Sequence, residues 1–451
     1  MTMLLIGLDG ATFDFIKPMI EKGKLPTFKR LIDGGVHGTL KSTYPPVTVP
    51  AWPAMFSGKG PDKLGAFDFR CMDSNYRIKL HDRSTICCTY VWEIMNESGK
   101  KAAVLNVPGT WPMKPVDKYI VSGMLTPPGR GFALPKVLQD RIEKEIPGYS
   151  TALMENGDKI SSSYRTFEAR ASMLEWFLPK LGNSIDSIFM VFRVPDVLSH
   201  SRDAGPKELE ECYKRIDERL STILEKVEAN VLIVSDHGYG FSEGRKMLFI
   251  NKWLEENGYI FFEKKPNVSK SAMRARSMLT GRLGKAAKPL VRRLKNRVPE
   301  TSLPFDPSCI DMRRTKAFSY NTTTSPYCGI WINRKGVYKD GCVDGDYEHV
   351  RDEIISKLKA ENLVVTAWKR DDIFHVHNDR MPDIIVEGRG LISTGFSAVM
   401  ESTYKSCHLI NGIFIAHGPD IAVGKEIANA RITDIAPTVL HMFSLPIPDD
   451  M

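Results

Sequence analysis

The chain has 451 residues, 62 of them Lys or Arg and 54 Asp or Glu, for a formal net charge of +8 at neutral pH. Hydrophobic residues at 42% and charged residues at 26% are ordinary for a soluble globular chain with a sizeable core, and they exclude a disordered or collagen-like one. No run of about 18 apolar residues occurs, which argues against a membrane-spanning helix.

The length suits one large α/β domain with an insertion, or two to three domains. The eight cysteines, Cys71, Cys87, Cys88, Cys212, Cys309, Cys328, Cys342 and Cys407, form no C-x-x-C pair. They read as reduced thiols of a cytoplasmic protein. The positive charge is local. Twelve Lys and Arg and no Asp or Glu fall between Lys264 and Arg297, which leaves the rest of the chain at −4 (+8 less twelve).

In chain order, "MTMLLIGLDGATFD" lacks a basic leading region and reaches an acidic residue early, so it reads as a first strand (3–9) and not as a signal peptide. "YPPVTVPAW" (44–52) follows. Its prolines fix their own φ and restrict the residues before them, which holds Thr48 at the start of a helix-like stretch. Aliphatic runs that break into Gly, Pro, Asp or His recur at 101–109, 186–196, 230–240 and 412–420. Such runs suit strands buried on both faces. The stretch 207–229 has apolar residues at helical spacing, and 432–443 reads as a closing helix. The alternation predicts an α/β fold with a mostly parallel central sheet flanked by helices, and ligands in such sheets bind beyond the carboxyl ends of the strands. The composition change divides the chain into a first core part (1–261), a basic cap or insertion (262–305) and a second core part (306–451).

Polar residues gather at the strand ends. Asp9 ends the first run, Asp196 and His200 follow the third, Asp236 and His237 end the fourth, and His408 precedes the last. Asp196 and His200 share a face if that segment makes a helical turn. Asp236 and His237 would point to opposite faces of a continuous strand, but can reach one ion where the chain curls. Three carboxylates with three imidazoles suit Zn²⁺, with Mn²⁺ or Fe²⁺ as alternatives, and six ligands suit two ions. Taken singly, an Asp after a strand more often caps a helix. The nearest competing histidines are His375 and His377, in "FHVH".

This ordered set, with "GLDG", "TVPAWPAMFSGK", "VPDVLSH", "VSDHGYG" and "HLINGIFIAHGPDI", resembles the alkaline phosphatase superfamily, in its type I phosphodiesterase/nucleotide pyrophosphatase branch. The resemblance implies an alkaline-phosphatase-like core with Thr48 as nucleophile. It implies Asp9, Thr48, Asp236 and His237 around one metal ion and Asp196, His200 and His408 around the other. The substrate would be a nucleotide or other organic phosphate, cleaved through a phosphothreonine. The chain departs from the branch at Ala51, where phosphodiesterase members usually carry an Asn that binds a phosphate oxygen, and the substrate-binding residues are left open. Other chemistries of the superfamily remain open too: monoester or phosphonate hydrolysis, phosphomutase or headgroup transfer, and a non-catalytic phosphate-binding role. A formylglycine sulfatase is disfavoured, since neither C-x-P-x-R nor S-x-P-x-R occurs.

The basic segment has two readings, a solvated insertion or a cap that attracts anions or touches an anionic membrane. Leu290, Leu294 and Val298 with Arg292, Arg293, Lys295 and Arg297 would make a short amphipathic helix. No aromatic residues interleave with the basic ones, so no specific nucleic acid partner is expected. The expected location is the cytoplasm, with a place at the membrane periphery as the alternative, and the sequence gives no oligomeric state.

Overall fold

The strand Met3–Leu8 (β1) is buried along its whole length. Leu4, Ile6 and Leu8 enter one hydrophobic cluster, while Met3 and Leu5 enter another on the opposite face. A strand's period of two divides its side chains in this way when both faces of a sheet are covered. The computed structural model describes residues 1–86, 88–114, 119–146, 149–151, 159–201, 203–241, 245–263, 306–323, 325–395, 400–401 and 406–451. The basic segment 264–297, and with it nearly all of 262–305, lies outside the described residues.

Eight further strands join β1: β2 (Val36–Lys41), β3 (Ala102–Val107), β4 (Tyr119–Ser122), β5 (Ala133–Leu134), β6 (Ser187–Phe192), β7 (Asn230–Val234), β8 (Asn411–His417) and β9 (Lys425–Arg431). Their order is β9-β2-β8-β7-β1-β6-β3-β4-β5. The five aliphatic runs are five consecutive strands at its centre, β8 to β3. Strand β1 pairs in parallel with both β6 and β7, with Leu5 opposite Phe189 on one side and Leu232 on the other. Two strands run against the rest: β8, antiparallel to β7 and β2, and β5, antiparallel to β4.

Helices Phe13–Glu21, Pro26–Asp33, Lys159–Glu175 and Pro206–Leu224 cover one face. Pro206–Leu224 begins with a proline at its first turn, where the missing N–H costs nothing, and it buries Leu209, Tyr213, Ile216 and Leu220 at helical spacing. Thr48–Ser57, Val91–Glu97 and Ile435–Met442 cover the other face.

A second sheet lies beside the first. Its path is Ala317–Phe318, Ser325–Ile332, Ile384–Ser393, Lys246–Phe249 and Met400–Glu401, with Val364–Lys369 also on Ile384–Ser393. With helix Tyr347–Lys359 it encloses its own core, which includes Ile330, Trp331, Ile354, Leu358 and Ile385. The sequence reading placed these residues in the two core parts and did not separate them. Buried Asp68 anchors the connection between Ala317–Phe318 and Ser325–Ile332 of the second sheet. It accepts from Asn321 Nδ2 at 3.2 Å, from the Thr322 hydroxyl at 2.9 Å, and from the Thr323 amide and hydroxyl at 3.2 and 2.9 Å. Among the described residues no helix is long and apolar enough to cross a membrane, and the seven described cysteines are free thiols.

Candidate active site

The site follows from strand direction. Asp9, Asp196 and Asp236-His237 come after β1, β6 and β7, at the carboxyl edge of three adjacent parallel strands. His408 precedes β8, but β8 is antiparallel, so its amino end opens at the same edge. All six residues thereby meet in two groups. Asp9, Asp236 and His237 form one, and Asp196, His200 and His408 the other, with the offered ligand atoms of each group within 4.8 Å of one another.

Local structure aims each side chain. Asp196 lies in helix Val194–Ser199 and His200 follows at its C-terminal cap, which brings His200 Nε2 to 3.2 Å from Asp196 Oδ1. His408 Nε2 is 3.4 Å from the same oxygen and 2.7 Å from His200 Nε2. Strand β7 ends at Val234, and the Ser235 hydroxyl turns back to donate to the His237 carbonyl. That curl places His237 Nε2 at 3.3 Å from Asp236 Oδ2 and 3.6 Å from Asp9 Oδ1. Gly10, at φ +72°, lets the chain turn after Asp9 and donates its amide to Asp236 Oδ1 at 3.2 Å.

Two backbone carbonyls fix the imidazole tautomers. His237 Nδ1 is 3.0 Å from the Gly238 carbonyl, and His408 Nδ1 is 3.0 Å from the Pro46 carbonyl. A carbonyl only accepts, so each Nδ1 carries the proton and each Nε2 turns a lone pair inward, the usual arrangement of a metal-ligating histidine. His237 and His408 stack with ring centroids 4.0 Å apart.

Thr48 is the first residue of helix Thr48–Ser57, and Val47 occupies the cap, so the threonine hydroxyl is not used as an N-cap. Thr48 is buried, with Oγ1 at 3.4 Å from His237 Nε2. Ala51 is fully buried one turn on and has no donor for a phosphate oxygen. His375 and His377 belong to neither group: the His375 amide donates to Asp62, and His377 contacts Arg370 and Asp379. The sequence reading missed two contributors. One is the Pro46 carbonyl. The other is Trp52, four residues after Thr48 on the same helix face, whose Nε1 donates to Asp9 Oδ2 at 3.3 Å.

The electrostatics call for cations. Burial, and then Asp196, push the Asp9 carboxyl up to about 7. Asp236 is raised by burial and by both other carboxylates. At Asp196 burial also acts upward, but His200 and His408 outweigh it and hold the group well below the usual carboxylate range. His200 is raised: burial opposes its charge and Asp196 favours it more strongly. Burial lowers His237, and burial with His237 pushes His408 down to about 4. Asp9 Oδ1 and Asp236 Oδ2 are buried oxygens with no hydrogen-bond partner, while Asp196 Oδ1 faces the His200 and His408 imidazoles. Crowded carboxylates with unused lone pairs, facing the neutral imidazoles of His237 and His408, fit divalent metal ions of the Zn²⁺, Mn²⁺ or Fe²⁺ kind.

A mostly parallel α/β sheet with this site at its carboxyl edge defines an alkaline-phosphatase-like, metal-dependent hydrolase of phosphoric esters. The chain belongs to the type I phosphodiesterase / nucleotide pyrophosphatase family, whose model matches residues 3–405. Among solved structures, human ectonucleotide pyrophosphatase/phosphodiesterase 5 is similar at 16% identity and a TM-score of 0.59, over 99% of this chain and 96% of that one. An inactive form of the murine counterpart in complex with AMP is similar at 15% identity and a TM-score of 0.58, over the same shares of the two chains, 99% and 96%. Phosphonoacetate hydrolase from Sinorhizobium meliloti 1021, in complex with phosphonoformate, is similar at 15% identity and a TM-score of 0.62, over 98% of this chain and 95% of that one. At these identities the likeness is one of fold. No curated protein matches the sequence significantly.

Proposed function

We propose that the chain is a two-metal phosphodiesterase or nucleotide pyrophosphatase that cleaves a nucleotide or other organic phosphate through a phosphothreonine at Thr48. The observation that carries this reading is the position of the Thr48 hydroxyl. It lies at a helix start, 3.4 Å from His237 Nε2 of one carboxylate–imidazole group, whose ring stacks on His408 of the other. Asp9, Thr48, Asp236 and His237 would hold one ion, and Asp196, His200 and His408 the other. Bound there, the ions would neutralise charge on the transferring phosphoryl group and lower the pKa of the threonine hydroxyl. Thr48 Oγ1 bonds to phosphorus as the ester oxygen departs from the opposite side. Water then cleaves the phosphothreonine, and two inversions give net retention at phosphorus. Substrate would enter from the side of His200, the most exposed of the six side chains.

The AMP complex of the murine neighbour supports a nucleotide substrate. Ala51 supports a second reading. With no side-chain donor at that position, the site is also compatible with a phosphonate or phosphomonoester, and a phosphonoacetate hydrolase shares the fold. A cytoplasmic location and a role for 262–305 as a cap or anionic-surface contact belong to the same proposal; the free thiols support the location and the composition of 264–297 the contact.

Elemental analysis of the loaded protein should find close to two divalent ions per chain. A panel of nitrophenyl mono- and diesters, nucleotides and phosphonates should show chelator-sensitive turnover, highest on diesters or pyrophosphates. No more than one tightly bound ion, or turnover confined to phosphonates, would reject the reading.

A further inference from the structure

Trp52 is among the largest fully buried side chains in the protein. Its ring lies against Phe56, with centroids 5.7 Å apart and planes 13° from parallel. The indole reaches this position because β1 carries Gly7 two residues before Asp9. A Cβ at Gly7 would lie 2.4 Å from Trp52 Cη2 and 2.9 Å from Cζ3. The notch thus seats the ring below the strand end, where Nε1 donates to Asp9 Oδ2 at 3.3 Å. The other oxygen, Oδ1, has no hydrogen-bond partner and is the one 3.6 Å from His237 Nε2. One oxygen of Asp9 is therefore engaged by an indole and the other is turned toward the neighbouring ligands. Trp52 is also one helical turn beyond Thr48, so a single rigid element carries both the hydroxyl and the donor that orients the carboxylate.

We propose that Trp52 is a positioning residue: its indole N–H holds Asp9 with one oxygen free for a metal ion and locks the Thr48 helix to that ion's site. The proposal rests on the two-ion reading above. An outer hydrogen bond of this kind fixes ligand orientation, and its loss typically costs about 10–100-fold in metal affinity.

The test is a cobalt(II) titration of the chelator-stripped full chain, followed by visible absorption. The unsubstituted protein should show two binding phases. His200→Ala, which removes a ligand from the other group, identifies the phase that belongs to Asp9. In Trp52→Phe that phase should weaken about 10–100-fold with an altered spectrum, while the other keeps its affinity. Replacing Trp52 with 3-benzothienylalanine keeps the bicyclic shape and removes only the N–H, so it decides the matter if Trp52→Phe misfolds; the same loss is expected. Phe56→Leu disturbs the packing but keeps the donor, and should leave both phases in place. Wild-type affinity and spectrum in the benzothienyl variant would overturn the proposal. A single phase in the unsubstituted protein would instead overturn the two-ion reading, and would be seen before any variant is compared.

Discussion

On the proposed mechanism the chemistry concentrates in one atom, the Thr48 hydroxyl oxygen. It lies 3.4 Å from the inward nitrogen of His237. Thr48→Ala removes that oxygen while Val47 still caps the helix, so the fold and both metal groups should persist. Turnover should fall by about a thousandfold or more, since solvent water lacks the positioned attack. Thr48→Ser keeps the hydroxyl and should retain measurable activity. Rapid quench with mass spectrometry should find one added phosphoryl group on wild-type Thr48 and none on the alanine variant. Near-normal rates in Thr48→Ala would eliminate the covalent route.

The elements do what single residues cannot. Gly10 joins β1 to the site through a left-handed φ of +72° that L side chains rarely adopt. A Cβ there would sit 3.1 Å from the Asp196 Cβ and 3.2 Å from its Cα. Gly10→Ala should therefore cost about 1–2 kcal/mol in backbone strain, press on Asp196, and disturb the amide that Asp236 accepts. Both ions should be held more weakly, read by chelator competition; undiminished affinity for both would remove this role. Much at this scale was legible in the sequence. The aliphatic runs ending in Asp or His mark central strands because only doubly covered strands are apolar on both faces. The i, i+4 spacing of Asp196 and His200 foretold their shared face. The direction of β8 was not legible, since an antiparallel strand buried in a sheet has the same composition as a parallel one. The second sheet was hidden for a related reason: Lys246–Phe249 pairs with residues more than a hundred positions away, and no local pattern records such a partner. Trp52 sat in plain view at four residues from Thr48, but a tryptophan in an apolar helix ordinarily signifies core.

For the whole molecule, the site is a concentration of buried charge that the rest of the fold must stabilise. In the absence of cations the Asp9 carboxyl titrates at about 7 instead of 3.8, and Asp236 is also raised. A raised carboxyl binds a proton in the folded chain where the unfolded chain has released it. Its contribution therefore favours folding at low pH and is lost as pH rises through about 7. His237 and His408 act the other way. Their folded values lie below the ordinary 6.5, so their contribution is complete above that value and is lost as pH falls, for His408 through about 4. Between about 4 and 6.5 the two effects oppose one another. Above 6.5 the carboxyl effect remains, and the raised His200 adds to it, since the stabilising proton it holds in the folded chain is likewise lost as pH rises. The metal-free chain should thus lose about 1 kcal/mol of stability from Asp9 alone between roughly pH 6.5 and 8. With divalent ions bound, the carboxylates are neutralised as anions and the loss should disappear. Denaturant unfolding of stripped and metal-loaded protein across that range measures both curves. Parallel curves, with no steeper fall in the stripped chain, would mean that the acidic groups are not what the ions relieve.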